Sequence, residues 1–340
     1  MMEQYLLLPK KEQAQILNTV ATSERLKKSP QILQKDIWLC WALDTLFQMP
    51  GRLPMAFKGG TSLSKVYNAI QRFSEDIDIT INYKAFATED PFEKSVSRSK
   101  IKKISDQIKA LVTHHIKTMI IPHFENEIKK QFNKSMPTVE LDEDGETLHV
   151  HYPSALEQES EYLLDSIKLE FGGRNLTTPN NIITITTDIC DHMNNLHFPS
   201  AKVTVLSPEK TFWEKITLIH AECNREDPRH NANRISRHWY DIAKLSNHDI
   251  GKKAIEQTDI LKDVIKLKKT FYHTSHANYD NCITGKLQLI PNKNCLEALE
   301  EDFNKMLTEK MFYDAEPVFN KIIEQISELE KTINSRNFQP

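Results

Sequence analysis

The sequence predicts an α+β protein with a mixed β-sheet core and a largely α-helical C-terminal part. Alternating apolar and polar residues, typical of strands, are concentrated between about residues 55 and 206, whereas helical spacing dominates on both sides. Only 8 glycines in 340 residues argue against a turn-dense all-β architecture. We therefore expect N-terminal helices over residues 1–50 that pack on the core, a core over residues 51–206, and a helical C-terminal domain over residues 207–340.

Two helices are predicted in the first 50 residues. Apolar residues recur at helical spacing through EQAQILNTVATSERL and LQKDIWLCWALDTLFQM, and the Met-Pro-Gly-Arg sequence at 49–52 ends the second helix. MAFKGG then predicts a short strand that ends in glycines. TSLSKVYNAIQRF resumes helical spacing, with Thr61 or Ser62 as the candidate N-cap. The local order is thus strand, turn, helix.

The segment SEDIDITINY alternates strictly and predicts a strand with two different faces. The isoleucines at 77, 79 and 81 point to one side, whereas Asp76 and Asp78 point to the other. A lysine-rich helical stretch follows over about residues 93–134, and a meander of strands over about 138–205. The remainder of the chain is predicted to be helical.

The turn at Gly59 and Gly60 has the composition of a phosphate-binding site. Glycine lets the backbone approach phosphate oxygens closely, and the unpaired amides of a helix start attract anions. The hydroxyls of Thr61 and Ser62 can add side-chain donors. Because such a turn is also common as an ordinary helix cap, its interpretation depends on the strand that follows.

Asp76 and Asp78 are candidate metal ligands. Carboxylates two residues apart on a strand share a face and can hold Mg²⁺ through hard oxygen ligands. Mg²⁺ held there would neutralise a triphosphate bound at the glycine turn. A third ligand is expected near SIKLEFGG, where alternation places Lys168 and Glu170 on one face; Glu170 is the preferred candidate and Asp165 the alternative.

The segment FKGGTSLSKVYNAIQRFSEDIDITI resembles the signature of the AbiEii/AbiGii-type and MenT-like nucleotidyltransferase toxins. In that family a Lys-Gly-Gly-Thr turn precedes an arginine, a serine and then Asp-x-Asp, which match Lys58 to Thr61, Arg72, Ser74, Asp76 and Asp78. The resemblance implies a DNA polymerase β-like nucleotidyltransferase core. The residues that it implies to bind the nucleotide are Lys58, Gly59, Gly60, Thr61, Ser62, Lys65, Arg72 and Ser74.

The likeness continues in SPEKTFWEKITLIHAE and RHWYDIAKL, which are similar to later helices of the family. By that match Lys215 contacts nucleotide phosphates, and Asp241 acts as a catalytic acidic residue together with Asp76 and Asp78. Arg237 precedes Asp241 by four residues on the same helical face, so we expect it to brace Asp241 or to touch phosphate.

The resemblance implies an enzyme of a bacterial toxin–antitoxin or abortive-infection system. Such an enzyme would use Mg²⁺ to transfer a nucleoside monophosphate from an NTP to the 3′ acceptor end of tRNA, and a separately encoded antitoxin would neutralise it. Two alternatives remain: a nucleotidyltransferase that acts on a small molecule or a protein, and a non-catalytic scaffold that binds a nucleotide. The intact Asp-x-Asp and Gly-Gly motifs favour catalysis.

A formal charge of −3 gives the chain no global attraction to nucleic acid, so an RNA contact requires a local basic patch. The candidate patch contains Arg225, Arg229, His230, Arg234 and Arg237.

The five cysteines are scattered without metal or disulfide spacing, and no apolar run reaches the length of a membrane span. We therefore expect a cytoplasmic protein without membrane association, with its four tryptophans in the core.

Overall fold

The computed structural model of the chain describes residues 3–23, 26, 28–93, 96–133, 136–157, 166–225, 234–309, 311–313 and 316–336. Contacts between residues divide the chain into two compact units. The first unit comprises Met1–Thr61, Ser74–Thr88 and Ile104–Val205, and the second comprises Ser62–Phe73, Glu89–Lys103 and Leu206–Pro340. The three-part domain organisation expected from the sequence stays a prediction.

The elements follow the predicted order of two helices, a strand–turn–helix unit, a second strand, a helical stretch, further strands and then helices, with the short strand β1 before the first helix. The helices are α1 (Lys10–Ala21), α2 (Pro30–Phe47), α3 (Gly59–Lys65), α4 (Arg98–His115), α5 (Ile121–Gln131), α6 (Pro208–Cys223), α7 (Arg237–Ser246), α8 (Asp249–Glu256), α9 (Thr258–Phe271), α10 (Lys293–Thr308) and α11 (Phe319–Asn334). The strands are β1 (Glu3–Gln4), β2 (Met55–Lys58), β3 (Asp76–Asn82), β4 (Thr138–Leu141), β5 (Thr147–His151), β6 (Ser166–Asn175), β7 (Asn180–Thr186), β8 (Leu196–His197) and β9 (Ser200–Leu206).

A seven-stranded mixed sheet forms the centre of the first unit, in the order β4-β5-β6-β3-β2-β9-β7. Strand β3 pairs in parallel with β6 and antiparallel with β2, while β2 pairs in parallel with β9. The isoleucines at 77, 79 and 81 are all at most 1% exposed, as their alternation predicted. The mixed sheet and the helical C-terminal part confirm the predicted α+β class.

Helix α2 is buried on nearly all of its surface, which explains its apolar composition all round. Its Trp38 stacks on Tyr152, with ring centroids 5.4 Å apart, and its Trp41 packs edge-on against Phe124 and Phe132. The other two tryptophans, at 213 and 239, are buried in the second unit. All four tryptophans therefore lie in cores, as predicted.

Helix α3 is shorter than its sequence pattern predicts and starts earlier. The helical spacing of TSLSKVYNAIQRF suggested a helix to about residue 73, but α3 ends at Lys65. Asn68 has a φ of 47°, a left-handed conformation that an α-helix cannot contain. Because α3 begins at Gly59, Thr61 and Ser62 lie inside the helix, and the prediction that one of them is its N-cap is wrong.

The long helical stretch predicted after residue 93 is present as α4 and α5, with a π-helical turn at Ile116–Ile120 between them. Pro122 explains the break, because proline lacks an N–H and crowds the carbonyl one turn earlier. A wider π turn relieves that crowding. No helix in the described part of the chain is long and apolar enough to cross a membrane.

Helices α6–α11 build the second unit around one apolar core. Helix α6 begins with Pro208, and the Ser207 side chain accepts a hydrogen bond from the Lys210 amide as its N-cap. The segment that leaves α3 also belongs to this unit: the Phe73 amide donates to the Met311 carbonyl, and Arg72 forms an isolated β-bridge with Phe312. This pairing fixes Arg72 within the second unit.

Candidate functional site

The glycine turn and Asp78 are in direct contact. Gly59 has a φ of +80°, and a Cβ built on it would lie 1.9 Å from Oδ2 of Asp78. Lys58, the last residue of β2, is the register partner of Asp78 on β3. The carboxylate therefore faces the bend at a distance that only glycine permits at position 59.

Thr61 ties the glycine turn to the start of β3. Its hydroxyl lies 2.9 Å from Oγ of Ser74 and donates a hydrogen bond to the Asp76 carbonyl oxygen. The side chains of Thr61 and Ser62 are at most 2% exposed. The Thr61 hydroxyl thus serves the fold of the turn, and contact of either hydroxyl with a nucleotide stays a prediction.

Asp76 and Asp78 are both partly exposed, in contrast to the buried isoleucines between and after them. On the neighbouring parallel strand β6, Lys168 is the register partner of Asp76, and Glu170 is the partner of Asp78. The Lys168 ammonium forms an ion pair with Glu170. One face of the β3–β6 pair therefore carries the carboxylates of Asp76, Asp78 and Glu170 and the ammonium group of Lys168 side by side.

Among the described residues, the side chains on this face do not form a complete set of protein ligands for a metal ion. In the described part of the chain, no group of three or more His, Cys, Asp or Glu side chains is arranged to hold a metal ion. Glu170 stays a predicted third ligand, and the alternative, Asp165, lies outside the described residues. Two carboxylates are nevertheless sufficient for Mg²⁺ that binds together with substrate phosphates.

A second cluster, buried in the second unit, joins Arg72 to Asp241. The Arg72 Nε and Nη2 atoms donate to the two oxygens of Asp241, each at 2.7 Å, and Nη1 donates to the Phe73 carbonyl at 2.9 Å. Arg72 is 1% exposed and Asp241 is 0% exposed. This bidentate geometry is the strongest form of a charge-assisted pair.

Lys215 on α6 completes this cluster. Its Nζ lies 3.0 Å from Oδ2 of Asp241 and 3.3 Å from Nδ1 of His238. Burial tends to raise the pKa of Asp241, but the charges of Arg72 and Lys215 outweigh burial and hold that pKa below its ordinary value. Burial lowers the pKa of Lys215, and Asp241 opposes this shift.

The start of α7, which carries His238 and Asp241, is held by Asp302 of α10. The Asp302 carboxylate accepts from the Arg234 amide at 2.6 Å, from the Ser236 amide at 2.8 Å and from the Ser236 hydroxyl at 2.6 Å. Because a carboxylate near a helix N-terminus is favourable, this contact fixes the position of the first turn.

The predicted basic patch is only partly described. Arg229 and His230 lie outside the described residues. Arg225 forms an ion pair with Glu222, with Nε and Oε2 3.0 Å apart, so its charge is partly compensated. The role of the patch in RNA binding stays a prediction.

The structure shows contacts of Arg72 and Asp241 that the sequence did not indicate, while the predicted roles of both residues stay predictions. Arg72 was grouped with the nucleotide-binding residues, but it is buried against Asp241. Asp241 was implied to be a catalytic acid, but both of its oxygens are occupied by Arg72 and Lys215. This arrangement favours a positioning role for both. His238 was not singled out from the sequence, where a lone histidine beside Arg237 carries no distinguishing signal.

The mixed sheet, with two aspartates on β3 and the glycine turn against one of them, has the features of the nucleotidyltransferase class. A protein-family model described as nucleotidyl transferase AbiEii toxin, type IV TA system, matches residues 41–325. Because this match covers most of the chain, the chain belongs to the AbiEii family of nucleotidyltransferase toxins of toxin–antitoxin systems. The family resemblance noted in the sequence is confirmed.

Comparison with solved structures gives a match to MenT4, nucleotidyltransferase toxin Rv2826c from Mycobacterium tuberculosis H37Rv. The two chains are 14% identical, with a TM-score of 0.44 over 95% of this chain and 99% of that chain. A search of curated proteins finds no significant match.

Proposed function

We propose that this protein is a cytoplasmic, Mg²⁺-dependent enzyme that transfers a nucleoside monophosphate from an NTP to the 3′ acceptor end of tRNA. Family membership supports the class of reaction. The single observation that carries the assignment of the site is the contact of the Asp78 carboxylate with the Gly59 bend. A metal ion on Asp78 would thereby lie next to any phosphate bound at that bend.

Asp76 and Asp78 are the residues proposed to hold Mg²⁺, with Glu170 as a third candidate. The donor set fits, because hard carboxylate oxygens on one strand face suit Mg²⁺ and leave its other positions for water and phosphate oxygens. When bound, the metal would neutralise charge on the triphosphate. The protein itself contributes the positions of the two carboxylates.

The phosphates are proposed to contact the glycine turn and three lysine side chains. Helix α3 has only seven residues, so we assign little of the binding to its dipole. The contacts would come instead from the backbone at Gly59 and Gly60 and from the ammonium groups of Lys58, Lys65 and Lys215. Arg72 and Asp241 would act indirectly, by holding Lys215.

The proposed partner is supported by the family, whereas the proposed acceptor is supported by local charge in the sequence. A toxin of a toxin–antitoxin system implies a cognate antitoxin that neutralises it. The arginines between residues 225 and 237 make an RNA acceptor the preferred choice, because cations position a polyanion without reading its sequence. Antitoxin and acceptor are both proposals for this chain.

A labelling assay tests the proposed function. Purified protein is incubated with Mg²⁺, each α-labelled NTP in turn and total tRNA, beside the variants Asp78→Ala and Asp106→Ala. Asp106 is an exposed aspartate of α4 and is the matched control. We expect label in tRNA with the wild type and with Asp106→Ala, and background label with Asp78→Ala, because one metal ligand has been removed.

The same assay separates the alternatives. Label in protein or in a small molecule, but not in tRNA, would replace the proposed acceptor and keep the transfer reaction. Absence of label from every acceptor, while NTP still binds, would favour the non-catalytic scaffold. Labelling that Asp78→Ala leaves unchanged would remove the proposed site.

A further inference from the structure

The ammonium group of Lys215 has two protein acceptors and one remaining N–H. An ammonium group carries three donors. One is directed to Asp241 Oδ2 at 3.0 Å and a second to His238 Nδ1 at 3.3 Å. Within the part of the chain that the structure describes, no third acceptor contacts this group, and Lys215 retains 7% of its surface exposed. Two fixed contacts therefore determine the direction of the third N–H.

We propose that His238 is a positioning residue that, with Asp241, directs the third N–H of Lys215 toward a phosphate oxygen of the nucleotide. This inference rests on the proposed function, because it assigns a geometry to the lysine that the proposed function uses. It adds a residue that neither the family signature nor the sequence pattern identified. His238 itself does not touch the nucleotide in this account.

A neutral imidazole is required for this role. Nδ1 can accept a hydrogen bond from an ammonium group only when it carries no proton, with the ring proton on Nε2. Burial, and then the charges of Lys215 and Arg237, lower the pKa of His238 well below its ordinary value. Arg72 acts in the same direction, whereas Asp241 opposes it. This shift favours the neutral ring, and the contact with the Lys215 ammonium favours the tautomer in which Nδ1 accepts.

The other contacts of the cluster explain why a second acceptor matters. Both carboxylate oxygens of Asp241 already accept hydrogen bonds from Arg72. The guanidinium group therefore fixes the orientation of the carboxylate that Lys215 also contacts. A single contact to Asp241 would leave the Nζ atom free to shift as the torsions of the lysine side chain change. The contact with His238 Nδ1 restrains the ammonium group. A group that is already held in its binding position loses less conformational entropy when the ligand binds, so the affinity for the nucleotide is higher.

Two amide substitutions test the inference. In His238→Asn the side-chain oxygen can occupy the place of Nδ1, whereas in His238→Gln the amide reaches the place of Nε2 and leaves Lys215 without this acceptor. We expect His238→Gln to raise the KM for NTP and the Kd for NTP about tenfold, as for loss of a hydrogen bond to a charged group, with kcat changed less. His238→Asn should remain close to the wild type. His273→Leu, at an exposed histidine of the same unit, is the control and should change neither constant.

Thermal unfolding of each variant shows whether it is folded at the assay temperature. Equal values for His238→Asn and His238→Gln, in both KM and Kd, would overturn the inference. If the wild type binds NTP without transferring it, and only His238→Gln weakens binding, then the positioning role holds and the proposed function fails. If the wild type does not bind NTP, both are refuted.

Discussion

Replacement of Asp241 by asparagine is expected to destabilise the protein by about 3–5 kcal/mol, because it leaves the buried Arg72 guanidinium without its counter-charge. Chemical denaturation measures this loss. The lowered pKa of Asp241 adds a pH dependence. A carboxyl group whose pKa is lower in the folded state contributes stability above its ordinary pKa, and this contribution is lost as the pH falls toward the folded-state pKa. Unfolding of Asp241→Asn should therefore depend less on pH in the acid range than unfolding of the wild type.

A double replacement separates the structural role of Asp241 from a catalytic one. Arg72→Met combined with Asp241→Leu removes the Arg72–Asp241 ion pair and should recover part of the lost stability, because apolar groups of similar size often replace a buried ion pair without a net cost. The buried Lys215 ammonium, which loses its contact with Asp241, limits this recovery. Transfer activity should stay low, since Lys215 loses its anchor. An Asp241→Asn variant that is as stable as the wild type but inactive would contradict this account and would support a direct catalytic role.

Replacement of Gly59 by alanine is expected to lower transfer activity by about 100-fold and to cost at least the backbone strain of about 1–2 kcal/mol that a left-handed φ imposes on alanine. The new methyl group would overlap Asp78 Oδ2 at 1.9 Å, and the cheapest relief is rotation of that carboxylate away from the bend. A misplacement of about 1 Å in a reacting group can cost about two orders of magnitude in rate. Initial rates of label transfer and thermal unfolding, measured on the same samples, test both parts.

Gly51 supplies the matched control. It also has a left-handed φ, at +67°, but a Cβ at this position would meet no atom within 4 Å. Gly51→Ala should therefore cost only the backbone strain of about 1–2 kcal/mol and leave transfer unchanged. Equal activity of the two alanine variants would mean that the position of Asp78 against the turn has no part in the reaction.

The first cluster could be predicted from the sequence because its signals are local. Apolar and polar residues alternate along SEDIDITINY, and this alternation determines which side chains share a face of the strand. The burial of the isoleucines confirms that interpretation. The contact of Asp78 with the glycine turn also follows from local order, since β2 and β3 pair directly and bring Lys58 opposite Asp78. Short connections make such neighbours predictable.

The second cluster could not be predicted in the same way. Arg72 and Asp241 are 169 residues apart, and nothing in the local pattern of either segment indicates the other. The early end of α3 matters here, because the left-handed Asn68 ends the helical path that the apolar spacing suggested. The helical spacing of apolar residues indicates that a helix is favourable but does not indicate where the helix ends. The position of Arg72 could therefore be determined only from the structure.

Diffraction from crystals grown with Mn²⁺ and a non-hydrolysable NTP analogue tests the central claim most directly, because Mn²⁺ replaces Mg²⁺ at oxygen ligands and gives an anomalous signal. We predict an anomalous peak in contact with carboxylate oxygens of Asp76 and Asp78, about 2.0–2.3 Å away, with a phosphate of the analogue at the Gly59 bend. Nucleotide bound away from this bend, or a metal peak that touches neither aspartate, would contradict the account.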